Sequence, residues 1–138
     1  MNVFVDTNVL IDYVCQRGEF ASAATNLMAY GCMGKVKLST SALSYVTTMY
    51  VAHKYDYRNV KESLLAISRF VKVLGLQSST VIEMLSSDWK DYEDSVQNHT
   101  AVCADSDCIV TRNVKDFKDS SLPIYTADAF LKLLEEGK

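Results

Sequence analysis

Three aspartates, Asp6, Asp94 and Asp116, stand where an apolar run stops or a helical pattern starts. Asp6 follows Val3-Phe4-Val5 and precedes Thr7 and Asn8, after which Val9, Leu10, Tyr13 and Val14 recur at helical spacing. Asp94 belongs to a dense acidic stretch with Asp88, Asp91 and Glu93, just after Trp89. Asp116 follows the apolar run Cys108-Ile109-Val110 and the polar break Thr111-Arg112-Asn113. Carboxylates gathered on one edge repel one another, and a divalent cation offsets that repulsion. Such a site lowers the pKa of a bound water and neutralises charge developing on a phosphodiester. Taken singly, each aspartate is as readily a helix cap. With 17 acidic residues in 138, boundary positions also arise by chance.

Other chemistries find less support. There is no G-x-x-x-x-G-K-[ST] and no G-x-G-x-x-G, so a nucleotide-phosphate loop is not expected. No Ser–His–Asp or Cys–His constellation stands out; of the two histidines, His53 sits beside Lys54 and reads as surface, and His99 lies near the acidic stretch. The four cysteines, Cys15, Cys32, Cys103 and Cys108, show no C-x-x-C spacing. A nucleophilic Asp6 forming an aspartyl-phosphate is a remote option, because position 8 is Asn where a second Asp is usual.

These residues need a scaffold. The composition, 49% hydrophobic with net charge −3, excludes a disordered chain and a strongly basic nucleic-acid-binding face. No stretch of about 18 apolar residues exists, and the reading is a cytoplasmic protein with no membrane association. With one proline, five glycines and no linker, residues 1–138 read as a single domain. Short strands are expected at 3–5, 36–38, 71–76, 108–110 and 123–125, the last an edge strand opened by Pro123. Helices are expected after Thr7 or Asn8 as cap, over 20–30 ending at Gly31 and Gly34, and after Ser39-Thr40-Ser41. Others follow capping boxes at Asn59/Glu62 and Thr80/Glu83, run from Asp91 to Val102, and start at Thr126. A polar connection covers 54–57. Strands alternating with helices predict an α/β domain with a mainly parallel sheet. Asp12, more than one turn into the first helix, reads as solvent-facing.

Three blocks resemble the PIN-domain family, and within it the VapC-like ribonuclease toxins. They are Val5-Asp6-Thr7-Asn8-Val9-Leu10-Ile11-Asp12, Asp91-Tyr92-Glu93-Asp94-Ser95-Val96-Gln97, and Ile109 through Asp116-Phe117, in matching order and separation over nearly the whole chain. The resemblance implies a parallel sheet of about five strands flanked by helices. It also implies Mg²⁺- or Mn²⁺-dependent endoribonuclease activity, a toxin–antitoxin context, an antitoxin protein seated between helices, and a homodimer. Asp6, Asp94 and Asp116 match the family's catalytic and metal-binding acids, with Asp91 or Glu93 as substitutes for Asp94 if the register shifts. Thr7, Thr111 and Asn113 match supporting positions; many relatives carry a carboxylate at the Asn113 position. Arg112 and Lys115 are candidates to steer RNA, Arg112 equally an ion-pair partner of Asp116 or Asp119.

One departure bears on activity. The family places an acid early in the helix after the second strand, but no carboxylate occurs from Leu38 to Lys54. Ser44 or Tyr45 stands in its place, and a hydroxyl ligates a hard cation less well than a carboxylate. The competing expectation is therefore a PIN-fold binding module for RNA or protein, with weakened or lost catalysis.

Overall fold

The computed structural model describes residues 1–55 and 57–137; Asp56, within the expected polar connection, and Lys138 lie outside the described residues. Strand β1 (Asn2–Val5) forms because an uninterrupted apolar run suits a strand covered on both faces. Val3, Phe4 and Val5 are all fully buried. Helix α1 (Thr7–Val14) follows immediately, then α2 (Ala21–Cys32), β2 (Lys37–Ser41), α3 (Ala42–Lys54) and α4 (Val60–Ile67). Next come β3 (Val71–Leu74), α5 (Ser78–Ser86), α6 (Tyr92–Cys103), β4 (Cys108–Val110), β5 (Ile124–Tyr125) and α7 (Ala127–Gly137). The strands form one sheet in the order β3-β2-β1-β4-β5, every pairing parallel. Phe4 lies opposite Ser39 on one side and Ile109 on the other.

This order has a functional consequence. From β1 the chain steps outward to β2 and β3, then returns to place β4 on β1's other side. Successive crossovers therefore leave β1 in opposite directions, which opens a crevice at the carboxyl ends of β1 and β4. The two sheet faces have separate cores. Val3, Val5 and Val110 pack with Leu10, Leu27, Leu64 and Phe130 beneath helices α1 to α4 and α7. Phe4, Ile109, Ala101 and Phe117 pack on the other face, with Trp89 edge-on to Phe117 at 5.8 Å. Full burial of each large side chain contributes about 1.5–3 kcal/mol, so the sheet that carries the site is anchored from both faces.

Several local expectations need correction. The cap of α1 is neither Thr7 nor Asn8 but Asp6, whose side chain accepts from the Thr7 amide at 2.8 Å. The helix starts directly at the strand end, so Asp6 is the last residue with extended backbone. Helix α2 runs through Gly31, where a Cβ would clash with the Leu38 side chain, and closes near Gly34 with its φ of +77°. Asn59 makes no side-chain cap, because its left-handed backbone (φ 61°) turns the side chain away from the helix amides. Helix α5 begins two residues before Thr80, which is buried within its first turn. Asp12 is not solvent-facing: it is 1% exposed. Among the described residues no helix is long and apolar enough to cross a membrane.

Candidate active site

Asp6 sits at the crevice predicted by the strand order. Its backbone amide still donates to Val110 of β4 at 2.9 Å, so its side chain leaves the sheet where β1 and β4 end. The carboxylate is 4% exposed. One oxygen accepts from the Thr7 amide at 2.8 Å and from Gln97 Nε2 at 3.2 Å. The other accepts from Thr111 Oγ1 at 2.7 Å. Burial pushes its pKa above the ordinary carboxylate value, the bonds from Thr111, Gln97 and Thr7 pull it back, and the Asp91 charge raises it again. The positive end of α1 also favours the ionised form.

Hydroxyls and one amide surround this carboxylate. Thr7 Oγ1 lies 2.8 Å from Ser44 Oγ, and Ser44 lies 3.1 Å from the Ser41 hydroxyl that caps α3. Gln97, fully buried on α6, joins them: its Nε2 reaches Ser44 Oγ at 2.7 Å and Thr7 Oγ1 at 3.2 Å, and its Oε1 accepts from Ser41. A fully bonded network of this kind holds its members in single rotamers. Ser44 is therefore the α3 residue that faces the site. Tyr45 turns away and donates to the Val71 carbonyl at 3.1 Å.

The remaining acids stand at the mouth. Asp91 caps α6 by accepting from the Asp94 amide at 3.0 Å. The α6 start expected at Asp91 is thus met by Asp91 as cap. Asp94 is half-buried, and desolvation followed by the charges of Asp6, Asp91, Asp116 and Glu93 pushes its pKa up to about 7. Glu93 is raised by burial and then by Asp6 and Asp91. Asp116, in a 3₁₀ turn after β4, is exposed. It lines a cleft of about 250 Å³ with Asp91, Asp94, Trp89 and the lysines Lys90, Lys115 and Lys118. The structure thus brings Asp6, Asp94 and Asp116 to one sheet edge.

The supporting residues fall in two groups. Thr111 binds Asp6 directly and accepts from the Asn113 amide at 3.1 Å, so it links the acid to the loop after β4. Asn8 fastens the same loop, accepting from the Arg112 amide at 3.2 Å. The Asn113 side chain is exposed. Arg112 does not line the acidic cleft. Its Nε lies 2.9 Å from Asp12, and its guanidinium stacks over Phe20 at 4.2 Å. The partner is thus Asp12 rather than Asp116 or Asp119. Sequence reasoning missed Gln97 and the burial of Asp12. A glutamine one helical turn beyond Asp94 was the available signal for the first; the second had none.

The donor set fits a hard divalent cation in kind, since carboxylates and hydroxyls are its ordinary ligands. It also fits in charge: the ion pairs found among the described residues, from Arg17 and Arg112, both go to Asp12. Among the described residues no group of three or more His, Cys, Asp or Glu is gathered at ligand spacing. Asp6, Asp94 and Asp116 thus share an edge without converging on one point.

A sequence profile described as PIN domain matches residues 2–115. No curated protein matches the sequence significantly. Solved structures share the fold at low identity. VapBC2 from Rickettsia felis, bound to a DNA fragment from its promoter, has a chain 13% identical with a TM-score of 0.67, covering 90% of this chain and 97% of its own. A toxin–antitoxin complex from Klebsiella pneumoniae is 22% identical with a TM-score of 0.65, covering 91% and 97%. VapBC-1 from nontypeable Haemophilus influenzae is 19% identical with a TM-score of 0.63, covering 93% and 99%. With a parallel five-stranded sheet, an acidic edge at its switch point and a profile match over most of its length, this chain belongs to the PIN-domain family.

Proposed function

We propose that the chain is a metal-dependent endoribonuclease and the toxin of a toxin–antitoxin pair. The observation that carries this reading is the acidic edge at the switch point, where burial and then the neighbouring carboxylates drive Asp94 up to about 7, with no basic side chain ion-paired to these acids among the described residues. Asp6, Asp94 and Asp116 would hold Mg²⁺ or Mn²⁺. When bound, the cation neutralises charge on the scissile phosphate and acidifies the attacking water. Thr7, Thr111 and Gln97 fix the Asp6 carboxylate so that it need not reorganise. Lys115, with Lys90 and Lys118 around the same cleft, draws the RNA backbone towards the acids. Asn113, exposed beside Lys115, is free to meet substrate. Arg112 contributes by holding the loop that carries both.

The antitoxin reading draws on the toxin–antitoxin complexes that share this fold. It also draws on an apolar groove of about 550 Å³ between α3 and α4, lined by Tyr45, Val46, Met49, Leu64, Leu65 and Val73. An amphipathic helix suits such a groove. A homodimer and cytoplasmic residence complete the proposal. The competing reading, a binding module without catalysis, rests on Ser44 standing where the family has an acid.

The test is RNA cleavage by the purified chain with Mn²⁺, beside Asp6→Asn. Cleavage that needs the metal and disappears in the variant supports the nuclease. Tight RNA binding with equal, metal-independent background from both proteins supports the binding module.

A further inference from the structure

We propose that Glu93 supplies the carboxylate that α3 lacks, reaching the α3 side of the site from the first turn of α6. This rests on the metal-dependent nuclease reading.

The argument begins with what α3 offers. Its face towards the site carries the hydroxyls of Ser44 and, one turn on, Thr47, and neither residue is charged. Ser44 is fully buried and bonded to Thr7, Ser41 and Gln97, so it has no freedom to act as a ligand. Side chains of helix α6 reach this face. Gln97 touches Ser44 directly, and Glu93 lies four residues before Gln97, on the same stripe of the helix. The stripe that packs on Ser44 at Gln97 therefore presents Glu93 one turn nearer the mouth.

The contacts of Glu93 agree. Thr7 Oγ1 lies 3.5 Å from Glu93 Oε2, and Thr7 is also the neighbour of Ser44. The Glu93 carboxylate stands near the Thr47 hydroxyl on α3 and within electrostatic reach of Asp6. It is thus bracketed by α1 and α3, although it springs from α6. A glutamate serving only to complement the helix dipole needs no such position and is more stable in water. Glu93 is instead half-buried beside a buried carboxylate, with hydroxyls as its partners. Asp91 and Asp94 differ in place. Both line the outer cleft with Asp116, and Glu93 does not. The site so described has two flanks: Asp94 and Asp116 on the β4 side, Glu93 on the α3 side, and Asp6 between them.

Manganese titration of the whole chain, followed by electron paramagnetic resonance of free Mn²⁺, tests the assignment without requiring cleavage. Native protein is compared with Glu93→Gln, Asp6→Asn and Glu83→Gln, the last an exposed acid on α5. Glu93→Gln is expected to weaken Mn²⁺ binding by about tenfold or more. Glu83→Gln should leave it unchanged, and the metal-free melting temperature of Glu93→Gln should match or exceed the native value. Native Mn²⁺ binding that Asp6→Asn removes and Glu93→Gln leaves intact overturns the role of Glu93 alone. No Mn²⁺ binding by the native chain overturns the nuclease reading and this inference with it.

Discussion

Asp6 and Asp12 come from one short segment and are both almost fully buried, yet their surroundings are opposite. Asp12 has two cations: Arg17 Nε at 3.1 Å from one oxygen and Arg112 Nε at 2.9 Å from the other. Those arginines join α1, the turn before α2 and the loop after β4. Asp6 has none. Its partners are a backbone amide, a threonine hydroxyl and a glutamine amide, while Asp91 lies close enough to oppose its charge. A buried carboxylate satisfied by arginines is a structural clamp. One held rigid by neutral donors, among other carboxylates, suits the cation-binding role proposed for Asp6.

The largest test of this contrast is catalytic. Asp6→Asn should lower metal-dependent RNA cleavage by about a thousandfold or more, since a bound metal supplies several kcal/mol of charge stabilisation. The same variant should melt no lower than the native chain in chelator. Asp12→Asn should do the reverse. Removing the shared acid leaves two guanidiniums without a partner, costing about 2–3 kcal/mol after allowing for their partial exposure. Urea denaturation of the pair measures the difference; equal destabilisation would sink the distinction between clamp and site.

Smaller effects sharpen it. Arg112→Ala should cost about 1 kcal/mol through the lost pairing and the lost stacking on Phe20, without altering Mn²⁺ affinity. Lys115→Ala should instead leave stability unchanged and weaken RNA binding by a few-fold, with a shallower salt dependence.

A further effect is on pH. Asp94, held at about 7 when folded against 3.8 as its ordinary value, keeps a proton that the unfolded chain has already released across that interval. Its contribution to stability therefore falls as pH rises through this window. Metal-free protein should melt higher at pH 5 than at pH 8. Asp94→Asn should flatten that slope, and an unchanged slope would remove Asp94 from the repulsive group.

Much of this was legible before any coordinates. Apolar runs of three residues ending in polar ones marked β1 and β4, and their alternation with helical patterns gave the parallel sheet. Asp6 could be singled out because strand ends, in such a sheet, fall on one edge; Thr7 and Thr111 were marked only by the resemblance to the PIN-domain family. Choosing between Ser44 and Tyr45 was beyond reach. Adjacent helical residues differ by about 100° in direction, and only the packing of α3 against α1 and β3 decides which one faces the acids. The Asn59 cap failed for a related reason, since a backbone in the left-handed region leaves no mark on a pattern of residue types.

Taken alone, the sequence therefore determined the elements, their order and the acids at their ends, because hydrophobic periodicity and strand–helix boundaries are local properties. Tertiary structure decided the partnerships. It buried Asp12 between arginines from different segments, set Gln97 among Asp6, Thr7 and Ser44, and turned Glu93 towards α3. Burial and charge pairing depend on which faces meet, and faces that meet are contributed by residues far apart in the chain.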